Sequence, residues 1–241
     1  MRNLLLATTA AATLSLTTSP PANAVLQLAL DINGATFNCV DNNVACDTNP
    51  LVGVLQTGVM TFNGVQFLGS SQTQLTGGTN ELTTTSFQIT NTNAGTVTYQ
   101  LAVGGTDFQG PVTNISQTGS GTFTNAIGST TDLAYYANAG NIQGANTPTD
   151  FPLPVQLSDS GTITAMTIAD SINYNAVTPF SAAGLYSMTM GASGSLTAGG
   201  QLTGRSQSEI AFQAVPEPAS LAILSVGVIG MLALRRRHDR E

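Results

Sequence analysis

From Val25 onward, hydrophobic and polar residues alternate with a period of two over much of the chain. Every second residue is leucine or isoleucine in the segment 26–32, and every second residue is apolar in the segment 97–103. Such alternation indicates strands with one face in a core and the other in solvent. Shorter stretches of the same kind lie at 59–67, 87–90, 163–168, 186–190 and 210–214. No segment before Ala219 has a clear 3.6-residue period, so this part of the chain is predicted to be all-β.

The residues between these stretches indicate how the strands connect. Asn63-Gly64 separates two apolar stretches and predicts a hairpin with a type I′ turn, which needs positive φ at both central residues. Many short strands joined by Gly and Asn turns predict one antiparallel β-sandwich or jelly roll over residues 25–214. A β-solenoid is the alternative, although the chain has no repeat of fixed period. The Gly- and Pro-rich segment 138–154 is predicted to be a long connection, acting as a hinge or a binding loop.

The N-terminal segment 1–24 has the pattern of a secretory signal peptide. Arg2 supplies the positive charge, an apolar stretch follows, and Ala22-Asn23-Ala24 is a small-x-small cleavage sequence. A buried N-terminal helix is the alternative, but Pro20-Pro21 would end it. The domain that follows is therefore expected outside the cytoplasm.

Near the other end, the uncharged run 219–234 precedes Arg235, Arg236 and Arg237. As a helix this run would be roughly 24 Å long, against a hydrocarbon core of about 30 Å, and arginines at its end can snorkel to the interface. The sequence therefore predicts one transmembrane helix, with the three arginines as a cytoplasmic membrane stop. A buried core helix is the alternative.

Directly before this run lies Val215-Pro216-Glu217-Pro218. These four residues, the short hydrophobic helix and the arginine cluster together resemble the PEP-CTERM sorting signal of Gram-negative bacteria, over residues 215–241. The resemblance implies recognition by an exosortase, cleavage near the Pro-Glu-Pro sequence, and passage from an inner-membrane precursor to the cell surface or the medium. It also implies a source that makes exopolysaccharide, where such proteins serve in biofilm or envelope matrix.

A second resemblance concerns the domain itself. The segment 28–34, followed by Cys39 and Cys46, and the later segment 196–200 resemble uncharacterised sandwich domains that accompany this sorting signal. Those domains have no assigned activity to transfer.

Charge is scarce, and in the domain between the two terminal segments it is almost entirely negative. Only 8% of the 241 residues are charged, lysine is absent, and between Val25 and Val215 ten acids accompany a single base, Arg205. Because phosphate neutralisation needs a basic face, nucleic acid is excluded as a partner, and an anionic lipid surface is equally unfavourable. Thr, Ser, Asn, Gln and Gly take the place of charge, which is typical of an exported β protein.

The two cysteines are predicted to form a disulfide between Cys39 and Cys46, because export places them in an oxidising compartment. Two cysteines without a nearby histidine cannot complete a zinc site. Asp31, Asp41 and Asp47, with neighbouring asparagines, offer hard oxygen ligands and make calcium a candidate cofactor. Asx turns at hairpin ends explain the same residues without a metal.

Catalytic residues are few in this sequence. The only histidine, His238, follows the predicted membrane helix, so Ser-His-Asp and Cys-His systems are excluded from the exported domain. The expected function is a non-enzymatic structural or adhesive surface protein, with exopolysaccharide or envelope matrix as partner. The alternative is an exported polysaccharide hydrolase that uses two carboxylates, although the spacing of the acidic residues does not indicate which two would form the catalytic pair.

Overall fold

In a computed structural model of the protein, the described residues are 25–76, 79–146 and 156–211. They contain strands throughout. In chain order the strands are β1 (Leu26–Ile32), β2 (Ala35–Val40), β3 (Val54–Gln56), β4 (Met60–Phe62), β5 (Val65–Thr76), β6 (Thr79–Asn91), β7 (Val97–Gln109), β8 (Val112–Thr124), β9 (Thr130–Asn138), β10 (Gln156–Asp159), β11 (Ile163–Thr164), β12 (Ala169–Ala182), β13 (Leu185–Leu196) and β14 (Gln201–Ala211).

These strands form two antiparallel sheets. Sheet A has the order β10-β9-β13-β7-β1-β2, with β11 paired to β9, and sheet B has the order β12-β8-β14-β6-β5-β3, with β4 paired to β5. Their apolar inner faces pack against each other around one core. The prediction of an all-β antiparallel sandwich is confirmed, and the solenoid alternative is wrong.

Alternation along the strands decides which side chains enter the core. In β1 the residues Leu28 and Leu30 are buried, and their partners on β7 are Val103 and Leu101. Because antiparallel neighbours place paired side chains on the same face, these four residues form one apolar layer. The pattern that predicted both strands is thus the pattern of the core.

The predicted hairpin is also confirmed. Asn63 and Gly64 connect β4 and β5, with φ values of 48° and 71°. Both are in the left-handed region that a type I′ turn requires. By contrast, the predicted strand at 163–168 is reduced to the two residues of β11, because Met166 and Ile168 are exposed in a turn.

Asn91 holds two strand connections together at one end of the sandwich. It is fully buried, and its Nδ2 donates to the carbonyl oxygens of Gly95 (2.7 Å), Leu196 (2.9 Å) and Thr197 (3.0 Å). Its Oδ1 accepts from the backbone N–H of Asn93 at 2.9 Å. One side chain therefore fixes the β6–β7 and β13–β14 connections to each other.

The described part of the predicted long connection lies across the outer face of sheet A. Gln143 Nε2 donates to the carbonyls of Val25 (3.1 Å) and Gly104 (3.3 Å), and Ala145 packs on Ala29 and Ala102. These contacts make residues 139–146 a cover for the outer face of β1 and β7.

The two predicted targeting segments, residues 1–24 and 215–241, lie outside the described residues. Within the described ranges, no helix has the length and apolar character needed to cross a membrane.

Candidate functional site

A surface depression lies on the outer face of sheet B, across the four adjacent strands β6, β14, β8 and β12. Two adjoining cavities, of about 580 Å³ and about 400 Å³, share Thr85, Ser120, Asn173 and Arg205. We call this depression the Arg205 groove. Its outward-pointing side chains are polar: Thr83, Thr85, Thr118, Ser120, Asn173, Asn175, Arg205 and Gln207.

Strand register explains why these side chains meet. Arg205 on β14 pairs with Ser120 on β8, which in turn pairs with Asn173 on β12, so the three lie in one row across the sheet. Three inter-strand spacings of about 4.8 Å give the groove a span of roughly 14 Å perpendicular to the strands. The row is therefore long enough for an extended ligand.

An irregularity in β6 lies directly beside Arg205. Gly204 pairs with Phe87 and Ser206 with Thr84, so Thr85 and Ser86 together face the single residue Arg205. A bulge of this kind bends the strand and redirects its side chains. It places the Thr85 side chain at the rim of the groove.

The inner face of the same strand segments carries almost no side-chain volume. Gly204 pairs with Gly121, and Ser206 pairs with Gly119. A Cβ atom at Gly204 would lie 2.6 Å from the Phe87 ring, and one at Gly119 would lie 2.5 Å from Tyr135 Oη. Core rings therefore press directly on the backbone beneath the groove, and larger residues at these glycines would push the sheet outward.

Arg205 supplies the positive charge of the groove. Its side chain is exposed, and its Nε donates to Ser120 Oγ at 3.2 Å. No carboxylate of the described residues lies within ion-pair distance of its guanidinium. On the same face, Glu209 is four residues further along β14, roughly 14 Å away, and pairs with Glu81 of β6. The groove thus has a basic centre and an acidic border.

A second cluster lies on the outer face of sheet A, on the opposite side of the sandwich. Asp132 of β9 and Asp159 of β10 are in contact, and Ser160 Oγ donates to Asp132 Oδ1 at 3.2 Å. Burial, together with the hydrogen bond and negative charge of Asp159, raises the pKa of Asp132 to about 6. The hydrogen bond from Asp132 and the backbone N–H of Gly161 lower the pKa of Asp159. Below about pH 6 the pair therefore takes up one proton, on Asp132, while Asp159 stays ionised.

The predicted disulfide is present: Cys39 and Cys46 are bonded, with a Cα–Cα distance of 5.9 Å. It closes the loop that follows β2. The bond lies next to the aspartates that the sequence nominated for calcium.

Two of those aspartates act as turn caps beside the disulfide. Asp47 accepts backbone N–H groups of Asn42 (2.8 Å), Asn49 (2.9 Å) and Gln56 (3.0 Å), and Asp41 accepts that of Gly53 (2.6 Å). Burial raises the pKa of Asp41, with a further contribution from the charge of Asp47. The Asp47–Asn49 contact is an Asx turn of the kind that the alternative predicted. The other three contacts join residues that are farther apart in the chain.

Asp31 does not join them. Its Oδ1 caps the β1–β2 turn through Gly34 N at 2.9 Å, whereas Asp41 N donates to Leu26 O at the other end of β1. Leu26 and Asp31 are five positions apart along β1, which corresponds to roughly 17 Å. The expectation that three aspartates meet at one turn is therefore corrected. The described ranges contain no group of three or more His, Cys, Asp or Glu residues placed to hold a metal ion.

At the C-terminal end of the chain, the profile of the PEP-CTERM protein-sorting motif matches residues 214–237. The match includes Pro216-Glu217-Pro218, the apolar run and the three arginines. The chain carries a PEP-CTERM protein-sorting motif. This confirms the resemblance that the sequence indicated, and it identifies the protein as one sorted for export to the cell surface.

No curated protein matches the chain with significant similarity. Among solved structures, TmCBM61 bound to β-1,4-galactotriose aligns with 62% of this chain and 90% of its own, at 10% identity and a TM-score of 0.33. A carbohydrate-binding module of a Cellvibrio mixtus lichenase, bound to cellotriose, aligns with 62% and 89%, at 15% identity and a TM-score of 0.26. A similar module of a Zobellia galactanivorans enzyme aligns with 57% and 86%, at 11% identity and a TM-score of 0.24.

Apart from Asp31, which lies at the β1–β2 turn, the sequence-predicted site residues fall into two groups. The sorting residues Val215–Pro218 and the membrane-stop arginines Arg235–Arg237 belong to the PEP-CTERM segment, outside the described residues. Cys39, Cys46, Asp41 and Asp47 lie together in the loop after β2.

Sequence reasoning missed both the groove and the Asp132–Asp159 pair. Arg205 stood out as the one base of the domain, which is the signal that was available for the groove. Nothing in the spacing of Asp132 and Asp159, 27 positions apart, indicated that they meet.

Proposed function

We propose that this protein is an exosortase-sorted component of the cell envelope or extracellular matrix, whose sandwich is a non-catalytic module that associates with polysaccharide through the Arg205 groove. The PEP-CTERM motif at residues 214–237 supports the sorting part. The observation that carries the binding part is the row of hydroxyl and amide side chains across β6, β14, β8 and β12.

Polysaccharide suits this groove chemically. Sugar hydroxyl groups both donate and accept hydrogen bonds, and so do the hydroxyl and amide side chains that line the groove. The groove is open rather than enclosed, so a polymer can lie across the strands with both ends free. An exported protein that is retained in a matrix needs this kind of lateral contact rather than a closed pocket.

The second candidate function is an exported polysaccharide hydrolase, and the observation that favours it is the raised pKa of Asp132 in the Asp132–Asp159 pair. Glycosidases, however, hold their two carboxyl groups roughly 5 to 9.5 Å apart, so that the glycosidic bond or a water fits between them. Asp132 and Asp159 contact each other, and they lie on the sheet opposite the groove. We therefore favour the non-catalytic module.

Sorting is tested by replacing the two prolines of the motif. In a Pro216→Ala, Pro218→Ala variant, the extended segment outside the membrane becomes free to continue the helix. We expect uncleaved precursor to accumulate in the inner membrane, measured by fractionation and intact mass. Pro152→Ala, Pro154→Ala is the matched control, since it removes two prolines with the same spacing. Normal processing of the first variant would contradict exosortase sorting.

Binding is tested by co-sedimentation of the exported protein with polysaccharide from its own source. Asn173→Ala, Asn175→Ala removes two exposed amides from the groove, and we expect roughly fivefold weaker binding for each lost hydrogen bond. Asn114→Ala is the control, because Asn114 is exposed on β8 but does not line the groove. The same assay followed by reducing-end analysis separates binding from hydrolysis: turnover that is lost in Asp132→Asn would favour the enzyme.

A further inference from the structure

We propose that the Arg205 groove selects polysaccharides that carry isolated uronic acid carboxylates among neutral sugars, and that the Arg205 guanidinium receives the carboxylate. This inference rests on the proposed function and names the ligand class. It follows from the position, the free donors and the electrostatic surroundings of Arg205.

The guanidinium is partly oriented and largely free. Its Nε donates to Ser120 Oγ at 3.2 Å, which holds the plane of the group over the β14–β8 boundary. A guanidinium has five N–H donors, and the four on its terminal nitrogens have no carboxylate partner among the described residues. Two parallel N–H groups match the two oxygens of a carboxylate, which is a geometry that a lysine cannot offer.

The charge distribution argues for isolated carboxylates. Arg205 is the one base in a segment with ten acids, so its charge is a local exception on an acidic protein. The Glu81–Glu209 pair lies about 14 Å away, beyond a Debye length of about 8 Å at physiological salt. A single carboxylate at Arg205 is therefore attracted, whereas a second one over the acidic border is repelled. A polymer with a carboxylate on every sugar experiences both the attraction to Arg205 and the repulsion from the acidic border.

The rest of the groove is suited to neutral sugars by hydrogen bonding. Thr85, Asn173 and Gln207 flank Arg205 with uncharged donors and acceptors. The aromatic residue of the lining, Tyr174, stacks on the core residue Tyr135 at 5.6 Å, so its ring is already occupied. Recognition therefore depends on polar contacts, with the Arg205 interaction as the strongest of them.

The test uses the exported protein and four polymers in affinity electrophoresis: gellan, which has one uronic acid among neutral sugars in each repeat; carboxyl-reduced gellan; polygalacturonate, which has a carboxylate on every sugar; and dextran sulfate. We expect gellan to bind best and carboxyl-reduced gellan to bind roughly 10- to 100-fold more weakly. Arg205→Gln should weaken gellan binding by the same factor, and it should weaken binding of carboxyl-reduced gellan by roughly fivefold at most, the loss of one hydrogen bond to a neutral hydroxyl. Arg205→Lys should bind gellan almost as weakly as Arg205→Gln, because lysine keeps the charge but lacks the planar pair of N–H donors.

Thr36→Ala, on the exposed outer face of sheet A, is the surface control. Thermal melting verifies that each variant is folded, which the exposure of Arg205 leads us to expect. Equal binding of gellan and its reduced form, weakened by Asn173→Ala, Asn175→Ala, would overturn the carboxylate selection and leave the proposed function standing. Tighter binding of polygalacturonate or dextran sulfate than of gellan would overturn the preference for isolated carboxylates. Binding of none of the four would overturn the groove as a polysaccharide site and the binding part of the proposed function with it.

Discussion

Replacing Asp132 with asparagine tests the proton uptake of the Asp132–Asp159 pair through protein stability. The pKa of Asp132 is about 6, compared with an ordinary value of 3.8. An acid whose pKa is raised on folding stabilises the protein only while it is protonated. Its contribution is complete below pH 3.8, and it is lost as the pH rises to 6. Above pH 6 the fold holds a partly buried negative charge beside Asp159.

The size of the effect follows from the shift. A difference of about two pKa units corresponds to at most roughly 3 kcal/mol, but Asp132 is only partly buried, so screening by solvent reduces the effect to about 1 kcal/mol. We therefore expect Asp132→Asn to raise the free energy of unfolding by about 1 kcal/mol at pH 7.5 and by nothing at pH 4. The asparagine keeps an oxygen that can accept from Ser160 Oγ.

Urea unfolding measured at half-unit steps between pH 4 and pH 8 provides the assay. The native protein should lose stability between pH 4 and pH 6 through this group, and the variant should not. Asp159→Asn is the companion variant: without the neighbouring carboxylate, the pKa of Asp132 should move toward its ordinary value. The reasoning would be refuted if the free energies of unfolding of the native protein and of Asp132→Asn differed by the same amount at pH 4 and at pH 7.5. It would also be refuted if the variant were less stable than the native protein at pH 7.5.

Three further predictions concern the framework. Asn91→Ala should lower the free energy of unfolding by roughly 3 kcal/mol, because it removes a buried amide whose two N–H donors are shared among three carbonyls and whose oxygen accepts one backbone N–H. Urea titration measures this change, and a loss below about 1 kcal/mol would contradict the role of Asn91. The double variant Cys39→Ser, Cys46→Ser should lower the free energy of unfolding by about 2 to 3 kcal/mol, since the disulfide closes a loop with a sequence separation of 7. Thiols that react with an alkylating agent in the native protein without prior reduction would contradict the disulfide. Because Asp41 and Asp47 already accept backbone N–H groups, we expect the same melting temperature in EGTA and in millimolar calcium; a rise in calcium that disappears in Asp41→Asn, Asp47→Asn would instead establish a cation site.

Local patterns predicted the parts of the fold that local physics decides. The alternation in 26–32 and 97–103 became β1 and β7, since a half-buried strand requires it. Asn63-Gly64 became a type I′ turn, since few other residue pairs tolerate its φ values. The sandwich class followed from these elements, whereas the order of strands in each sheet did not, because it depends on contacts between residues that are distant in the chain.

The strands that sequence reasoning missed or misjudged share one property. The outer faces of β8, β12 and β14 are mostly polar, and β8 and β14 also carry glycine at inner positions, so their apolar alternation is weak. Gly119, Gly121 and Gly204 occupy inner positions where a leucine would normally report the period. Core rings from elsewhere fill that space. The apolar side chains that fill the core at these strands therefore come from residues that are far apart from them in sequence.

The same division explains why the groove could not be predicted from the chain alone. Its floor is thin because the inner positions are glycine and serine, and its lining is polar because the outer positions are Thr, Ser, Asn and Gln. Both features weaken the alternation of apolar and polar residues in these strands. The strands that form the groove are therefore the ones that are hardest to predict from the sequence. Arg205 is the exception: it is the one base among the ten acids of the domain, and it has no carboxylate partner among the described residues. If a ligand carboxylate is that partner, as we propose, the carboxyl-reduced polymer is the probe that removes the matching charge without changing the protein.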